Sequence, residues 1–269
     1  MNLFDAPGSP DRLQPLLAAA GRREAALDAK ALAAGMRVEP KRAHRFRSAL
    51  AAPGISLIAE LKRRSPSKGP LRVDLDIPRR ARSYAAGGAR ALSVLTETEH
   101  FGAQPEDFSR AADAGLPRLR KDFLLGEVAL FESVHLGADA ILLIARALGA
   151  APLRARCELA RELGLFTLVE IHDVSELDAA VSAEPDAIGV NARDLGTFEV
   201  DLERGFDLLR RIPERFLRVA ESGLQERGDV LLAEASGADA GLVGEALSRA
   251  ADPAGKVAEL LGREPEVSR

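Results

Sequence analysis

Short apolar runs recur along the chain, separated by longer stretches of helical periodicity. One set of runs forms a four-fold echo: GGARALSVL (87–95), GADAILLI (137–144), EPDAIGV (184–190) and GADAGLV (237–243). Aligned on Arg90, Asp139, Asp186 and Asp239, the echoes are spaced by 49, 47 and 53 residues. A Gly or Pro just before each run suits a helix C-terminus. The runs are too short for helices and are bounded by turn residues, so they read as buried strands. A second set lies between the echoes: ISLIAEL (55–61), LPRLRKDF (116–123), LFTLVEI (165–171) and RFLRVAE (215–221). Interleaving the sets predicts eight strands, separated by helical patterns such as EVALFESVHLG and PLRARCELARELG.

Near-continuous apolar strands alternating with helices indicate a parallel sheet covered by helices. Eight such units predict an α/β fold, the (β/α)8 TIM barrel, over residues 55–262. A doubly wound open sheet is the alternative; it would usually show fewer strands and no quarter repeat. Residues 1–54 stand outside the repeat. They predict an N-terminal extension with two helical stretches, REAALDAKALAAG and KRAHRFRSALAAPG, packing on the barrel and covering one mouth. Residues 263–269 are expected to be a polar tail.

Composition narrows the chemistry. The 269 residues are 46% hydrophobic and 29% charged, enough to bury a large core without a disulfide or metal staple. Lys plus Arg number 37 and Asp plus Glu 41, a net charge of −4. That argues against bulk nucleic-acid binding and against a polybasic membrane anchor, and leaves room for a local pocket binding a small anion. The single cysteine, Cys157, allows no intrachain disulfide and no Cys-rich zinc site. His44, His100, His135 and His172 lack metal-ligand spacing. No apolar run is long enough to span a bilayer and the first residues lack a signal-peptide pattern, so a cytoplasmic location is expected.

Catalytic groups of such barrels sit at the carboxyl ends of the strands. Those ends carry Glu60 and Lys62, Thr96 and Glu97, Lys121 and Asp122, Glu170, Asn191 and Arg193, Glu221, Ser222 and Gly223, and Gly244 and Glu245; the fourth strand ends in apolar LLIAR. Any one of these residues could be a solvated or paired rim residue. Their recurrence at the same end of different strands instead gathers carboxylates and ammoniums into a pocket suited to acid–base work. The Gly-containing ends ESG and VGE let backbone N–H groups approach an anion. They are equally consistent with tight ligand-free turns. Neither GxGxxG nor GxxxxGK[ST] occurs. The basic loop KRRSPSKGP (62–70) follows the first strand, where it can meet an anionic substrate.

The motif IAELKRRSPSKG (58–69) resembles the first-strand signature of the indole-3-glycerol-phosphate synthase family. The similarity continues in order through ALSVLTE, LRKDFLL, GADAILLIA, LVEIHD, IGVNARDLGTFEVDL, VAESG and GADAGLVGEAL, over about residues 46–262. The family also has a helical segment before its barrel. The resemblance implies ring closure of 1-(2-carboxyphenylamino)-1-deoxyribulose 5-phosphate with loss of carbon dioxide and water, without cofactor or metal, in tryptophan biosynthesis. It further implies Lys121 as general acid, Glu170 as general base and Lys62 as the contact to the substrate carboxylate. Glu60 and Glu221 would orient lysines and the substrate amine, and Asn191 and Ser222 would touch the sugar chain and intermediate. Ser65, Arg193, Gly223, Gly244 and the backbone of Glu245 would handle phosphate and neighbouring loops. Phe123, Leu142, Leu195 and Leu242 would wall the aromatic ring.

Two positions depart from the family pattern. Ala103-Gln104 replaces a Gly-Ser pair after the second strand, and Ala192 stands inside NARD, where NNRD or NSRD is common. The partner is expected to be a small anionic molecule, and the chain a monomer rather than an obligate oligomer. The alternatives are another phosphate-binding barrel enzyme, similar to phosphoribosyl-anthranilate isomerase or the tryptophan synthase α chain, and a non-catalytic sugar-phosphate sensor. The trio Glu60, Lys62 and Lys121 is expected in neither of those enzymes.

Overall fold

The computed structural model describes residues 13–65, 69–70, 74–194 and 199–263. Eight parallel strands form a closed barrel: β1 (Ser56–Leu61), β2 (Ala91–Leu95), β3 (Arg118–Lys121), β4 (Ala140–Ile144), β5 (Phe166–Ile171), β6 (Ala187–Asn191), β7 (Leu217–Glu221) and β8 (Ala240–Val243). Seven fall within their expected runs, and β6 extends one residue past its run to Asn191. Pairing of β1 with β8, from Ser56 with Ala240 to Ala59 with Val243, closes the ring and excludes the open sheet. The helices are α1 (Leu13–Ala25), α2 (Ala29–Ala34), α3 (Lys41–Leu50), α4 (Ile77–Ala86), α5 (Asp107–Arg110), α6 (Glu127–His135), α7 (Ala145–Leu148), α8 (Ala150–Glu162), α9 (Leu177–Ser182), α10 (Leu202–Arg210), α11 (Arg227–Ala235), α12 (Glu245–Arg249) and α13 (Pro253–Leu260). Aspartates start several of them: Asp76, Asp201 and Asp252 each accept a backbone N–H three residues on. Among the described residues no helix is long and apolar enough to cross a membrane.

The period of two along each strand sorts side chains into two cores. Leu57, Ala59 and Leu61 share one core with Leu92, Val94, Ile141, Leu143 and Val169, between the barrel and its helices. Ile58, Leu119, Leu142, Leu168, Val219 and Leu242 fill the barrel interior. Continuing that inward parity past the apolar layers reaches Glu60 and Lys62, Lys121 and Phe123, Glu170 and His172, Asn191 and Arg193, and Glu221 and Gly223. Strand pleating therefore aims one set of residues at one mouth.

The echo has a structural cause. Asp139, Asp186 and Asp239 each precede an even-numbered strand, and their carboxylates accept the backbone N–H of Arg118, Thr167 and Arg218, each at 2.8 Å. Each aspartate thus pins the start of the strand before it in sequence. In the first quarter Arg90 works differently, donating to the carbonyls of Ala52 and Pro53 and to Ser56 Oγ. Asp239→Ala leaves a strand N–H unsatisfied at the barrel floor. It is expected to destabilise the fold by about 1–3 kcal/mol without changing KM, measured by urea denaturation and steady-state kinetics.

The segment before β1 departs from expectation in detail. The stretch REAALDAKALAAG is not one helix: Asp28 accepts the N–H groups of Lys30 and Ala31, each at 3.0 Å, and starts α2 afresh. Capping at Asp28 competes with continuation of α1, which instead extends back to Leu13. Helix α3 packs under the barrel floor, with the Phe46 ring 5.0 Å from that of Phe166 at the start of β5. Helix α1 lies at the opposite rim. Its Glu24 accepts the N–H groups of Leu125 and Gly126 ahead of α6, and Arg23 pairs with Asp122 at 2.6 Å.

Candidate active site

One cavity opens at the carboxyl ends of the strands. Glu60, Lys62, Lys121, Glu170, Asn191, Arg193, Glu221, Ser222, Gly223, Gly244 and Glu245 line it, with Phe123, Leu142 and Leu242 as apolar wall. Of the remaining expected residues, Ser65 contributes a backbone that pairs with Gly69 in a short antiparallel ladder. Leu195 lies outside the described residues.

Charge concentrates around two ammoniums. Lys121 Nζ donates to Glu170 Oε2 at 3.1 Å and to Glu221 Oε2 at 2.9 Å. Lys62 Nζ donates to Glu60 Oε1 at 2.5 Å. Glu60, Glu170 and Glu221 are all buried. Burial alone would drive Lys121 toward neutrality, but Glu170, Glu221 and Glu60 outweigh it and hold its pKa above the ordinary lysine range. Burial likewise opposes ionisation of Glu60, and Lys62 with Lys121 overcomes it, so that pKa is lowered. Glu170 and Glu221 titrate as a pair across Lys121. Burial is the largest influence on both. Lys121, and then His172, pull Glu170 down to about 2. For Glu221 burial prevails over the pull of Lys121, the Glu170 charge adds to it, and its pKa rises to about 8. Of this pair one carboxylate is firmly ionised and the other keeps a proton near neutrality, beside an ionised Glu60.

Two glycines make room for the acids. A Cβ at Gly189 would sit 2.3 Å from Glu221 Oε1, and one at Gly244 would sit 2.2 Å from Glu60 Oε1. Gly189 pairs across the sheet with Glu170 and with Val219, so its empty place in the inner layer is where the Glu221 carboxylate lies. Sequence reasoning missed Gly189. The signal was a glycine on inward parity inside an apolar strand, a mark of close approach. Gly189→Ala is expected to displace Glu221 from Lys121 and to lower kcat by about tenfold to a hundredfold, with circular dichroism unchanged.

The rim is built by the neighbouring loops. Ser222 (φ 63°) and Gly223 (φ 83°) are both left-handed and turn the chain sharply after β7. Asn191 Oδ1 accepts the Arg193 N–H at 3.1 Å. The guanidinium of Arg193 reaches Glu245 at 3.5 Å, and Glu245 also pairs with Arg249 at 3.1 Å. After β2, Glu97 accepts the N–H groups of Glu99, His100 and Phe101, and Asp107 accepts that of Gln104 while pairing with Arg63. The Ala103-Gln104 segment is therefore held by these two carboxylates. Leu16 of α1, Leu95, Phe101 and Ile144 complete the apolar wall and were not expected from the sequence. Asp122 faces the cavity rim from the other parity and is tied to Thr96, Arg23 and the Phe123 N–H.

Comparison with known proteins bears on the fold and on the family. The chain is similar to solved barrels at low identity. These are thiamine phosphate pyrophosphorylase from Pyrococcus furiosus (TM-score 0.58, 16% identity, 80% of this chain and 95% of that one) and a 3-hexulose-6-phosphate synthase (TM-score 0.59, 14% identity, 77% and 99%). Both support the fold alone. Among sequence relatives, indole-3-glycerol phosphate synthase 2 of Streptomyces coelicolor is 46% identical over 218 residues, covering 81% of this chain and 84% of the relative. The indole-3-glycerol phosphate synthase of Chromobacterium violaceum is 45% identical over 238 residues, covering 88% and 89%. The family model for indole-3-glycerol phosphate synthase matches residues 17–260. With most of its length matched both ways, the chain belongs to the indole-3-glycerol phosphate synthase family.

Proposed function

We propose that the chain closes the indole ring of indole-3-glycerol phosphate from 1-(2-carboxyphenylamino)-1-deoxyribulose 5-phosphate, a step of tryptophan biosynthesis. The observation that carries the chemistry is the Lys121 ammonium set between Glu170 and Glu221, with the Lys62–Glu60 pair lining the same cavity. Ring closure needs a proton on the ribulose carbonyl oxygen as the aromatic carbon attacks it. Decarboxylation restores the ring. Dehydration then needs a proton on the departing hydroxyl and removal of one from carbon. Two protons are delivered and one is removed, and the carboxylate leaves as neutral carbon dioxide. Each turnover therefore takes up one proton from solvent.

Lys121 delivers protons and Glu170 removes one. When Glu170 becomes protonated, a strong attraction holding the proton on Lys121 is lost, and the ammonium becomes a better acid. Lys62 meets the substrate carboxylate, and Glu60 holds Lys62 in place. Phe123, Leu142 and Leu242 pack against the aromatic ring, while Arg193 and the backbone after β7 and β8 receive the phosphate. The enzyme works in the cytoplasm as a monomer.

The test is direct. The chain contains no tryptophan, so indole emission reports product without a contribution from protein indole. Appearance of indole fluorescence with the anilino-ribulose phosphate supports the proposal. Turnover of phosphoribosyl-anthranilate instead, or binding without turnover, sinks it. The Glu245 carboxylate competes with phosphate for Arg193. Glu245→Gln is expected to lower KM by about two- to fivefold with kcat unchanged, read from initial rates.

A further inference from the structure

His172 is not used in the reaction described above, yet its position is unusual. It follows β5 on the same inward parity as Glu170, and its side chain is fully buried. Neither ring nitrogen makes an aligned hydrogen bond. Nε2 lies 3.3 Å from Glu170 Oε1, and Nδ1 lies 3.8 Å from Glu176 Oε2. Glu176 is itself anchored: its Oε2 accepts the His172 backbone N–H at 3.0 Å, and its Oε1 accepts Arg146 Nε at 2.8 Å. A buried imidazole with loose partners is costly, and an apolar ring would fill the same space more cheaply. Catalytic hydrogen bonds in free sites are often long or poorly aligned, so loose contacts of this kind are compatible with a role in the reaction.

We propose that His172 is a positioning residue for Glu170. It fixes Oε1 from behind, so that Oε2 stays turned toward Lys121 and the carbon that gives up its proton. Glu176 and Arg146 hold the imidazole from the far side, giving a line of contacts from the base to the rim. The carboxylate is thereby held at both oxygens, one by an ammonium and one by an imidazole, and has little freedom to rotate away. This inference rests on the assignment of Glu170 as the base.

The test is a double-mutant cycle. His172→Phe keeps the volume and removes both nitrogens; His172→Gln restores a polar nitrogen near the place of Nε2. His172→Phe is expected to lower kcat by about tenfold to thirtyfold with KM within twofold, and His172→Gln to recover most of that loss. In a Glu170→Gln background, His172→Phe is expected to lower kcat no further. Glu176→Gln, which leaves Nε2 in place, provides a milder variant and is expected to lower kcat by about threefold. An equal loss from His172→Phe with and without Glu170 overturns the inference, as does a loss confined to KM or no loss at all. An inactive wild-type chain would instead refute the functional reading, and this inference with it.

Discussion

Lys121→Met is expected to lower turnover by at least about a thousandfold while the barrel still folds. Among the described residues Lys121 donates to both Glu170 and Glu221, while the Lys62 ammonium is engaged by Glu60, so the substitution removes the donor set beside the base. Folding survives because the acids adjust. Without Lys121 the Glu170 carboxyl loses the main influence holding it near 2, burial then prevails, and it takes up a proton. A buried unpaired charge is thereby avoided. Lys121→Arg separates charge from proton transfer: guanidinium keeps the positive charge but does not give up a proton in this range. Its turnover is expected to be as low as that of Lys121→Met, with near wild-type thermal stability. Fluorescence progress curves and thermal melts check both. A Lys121→Met enzyme near wild-type speed would remove Lys121 from its role as acid.

Much of this arrangement was legible in the sequence because the carboxyl ends of barrel strands share one mouth. Reading those ends in order collected Glu60, Lys121, Glu170, Asn191 and Glu221, and the strand parity seen in the structure is what turns them inward. The Asp139, Asp186 and Asp239 echo was equally readable, since one backbone task repeated at each quarter selects the same side chain. Resemblance then supplied the roles, Lys121 as acid and Glu170 as base, which strand ends alone leave open.

What stayed hidden depends on contacts between segments distant in the chain. Leu16 joins the cavity wall because α1 returns to the rim, and nothing local in LQPLLAAAGRREA fixes that path. Arg23 and Glu24 earn their places only through Asp122 and the N–H groups of Leu125 and Gly126, about a hundred residues away. Gly189 reads as one more apolar-strand residue until the carboxylate of Glu221 occupies the space above it. Asp107, which holds Gln104 after β2, is itself fixed by Arg63, 44 residues earlier in the chain. A helix boundary at Asp28 was misjudged because alanine-rich periodicity on both sides masked the cap.

Glu170→Gln is expected to lower kcat by about a hundredfold to ten-thousandfold, and its pH behaviour identifies it as the ionised member of the pair. Glu170 has a folded pKa of about 2, below its ordinary value, so it contributes stability above its unfolded pKa, and that contribution is lost as pH falls through about 2. Glu221 has a folded pKa raised to about 8, so its contribution is full below its unfolded pKa and is lost as pH rises through about 8. The wild type is therefore expected to weaken toward both ends of the range. Glu170→Gln removes the Glu170 share of the acidic slope and makes it shallower, while Glu60 and Glu176, also held below the usual carboxylate range, keep the remainder. It also removes the negative charge that helps raise Glu221, so the alkaline slope ends at lower pH. Glu221→Gln mimics the protonated acid, and is expected to abolish the alkaline slope and leave the acidic one. Thermal midpoints of the three proteins from about pH 2 to pH 9 distinguish these patterns. If Glu170→Gln melted with the same pH dependence as the wild type, the charge distribution assigned to the two acids would be wrong. If it also turned over at wild-type speed, Glu170 would not be the base.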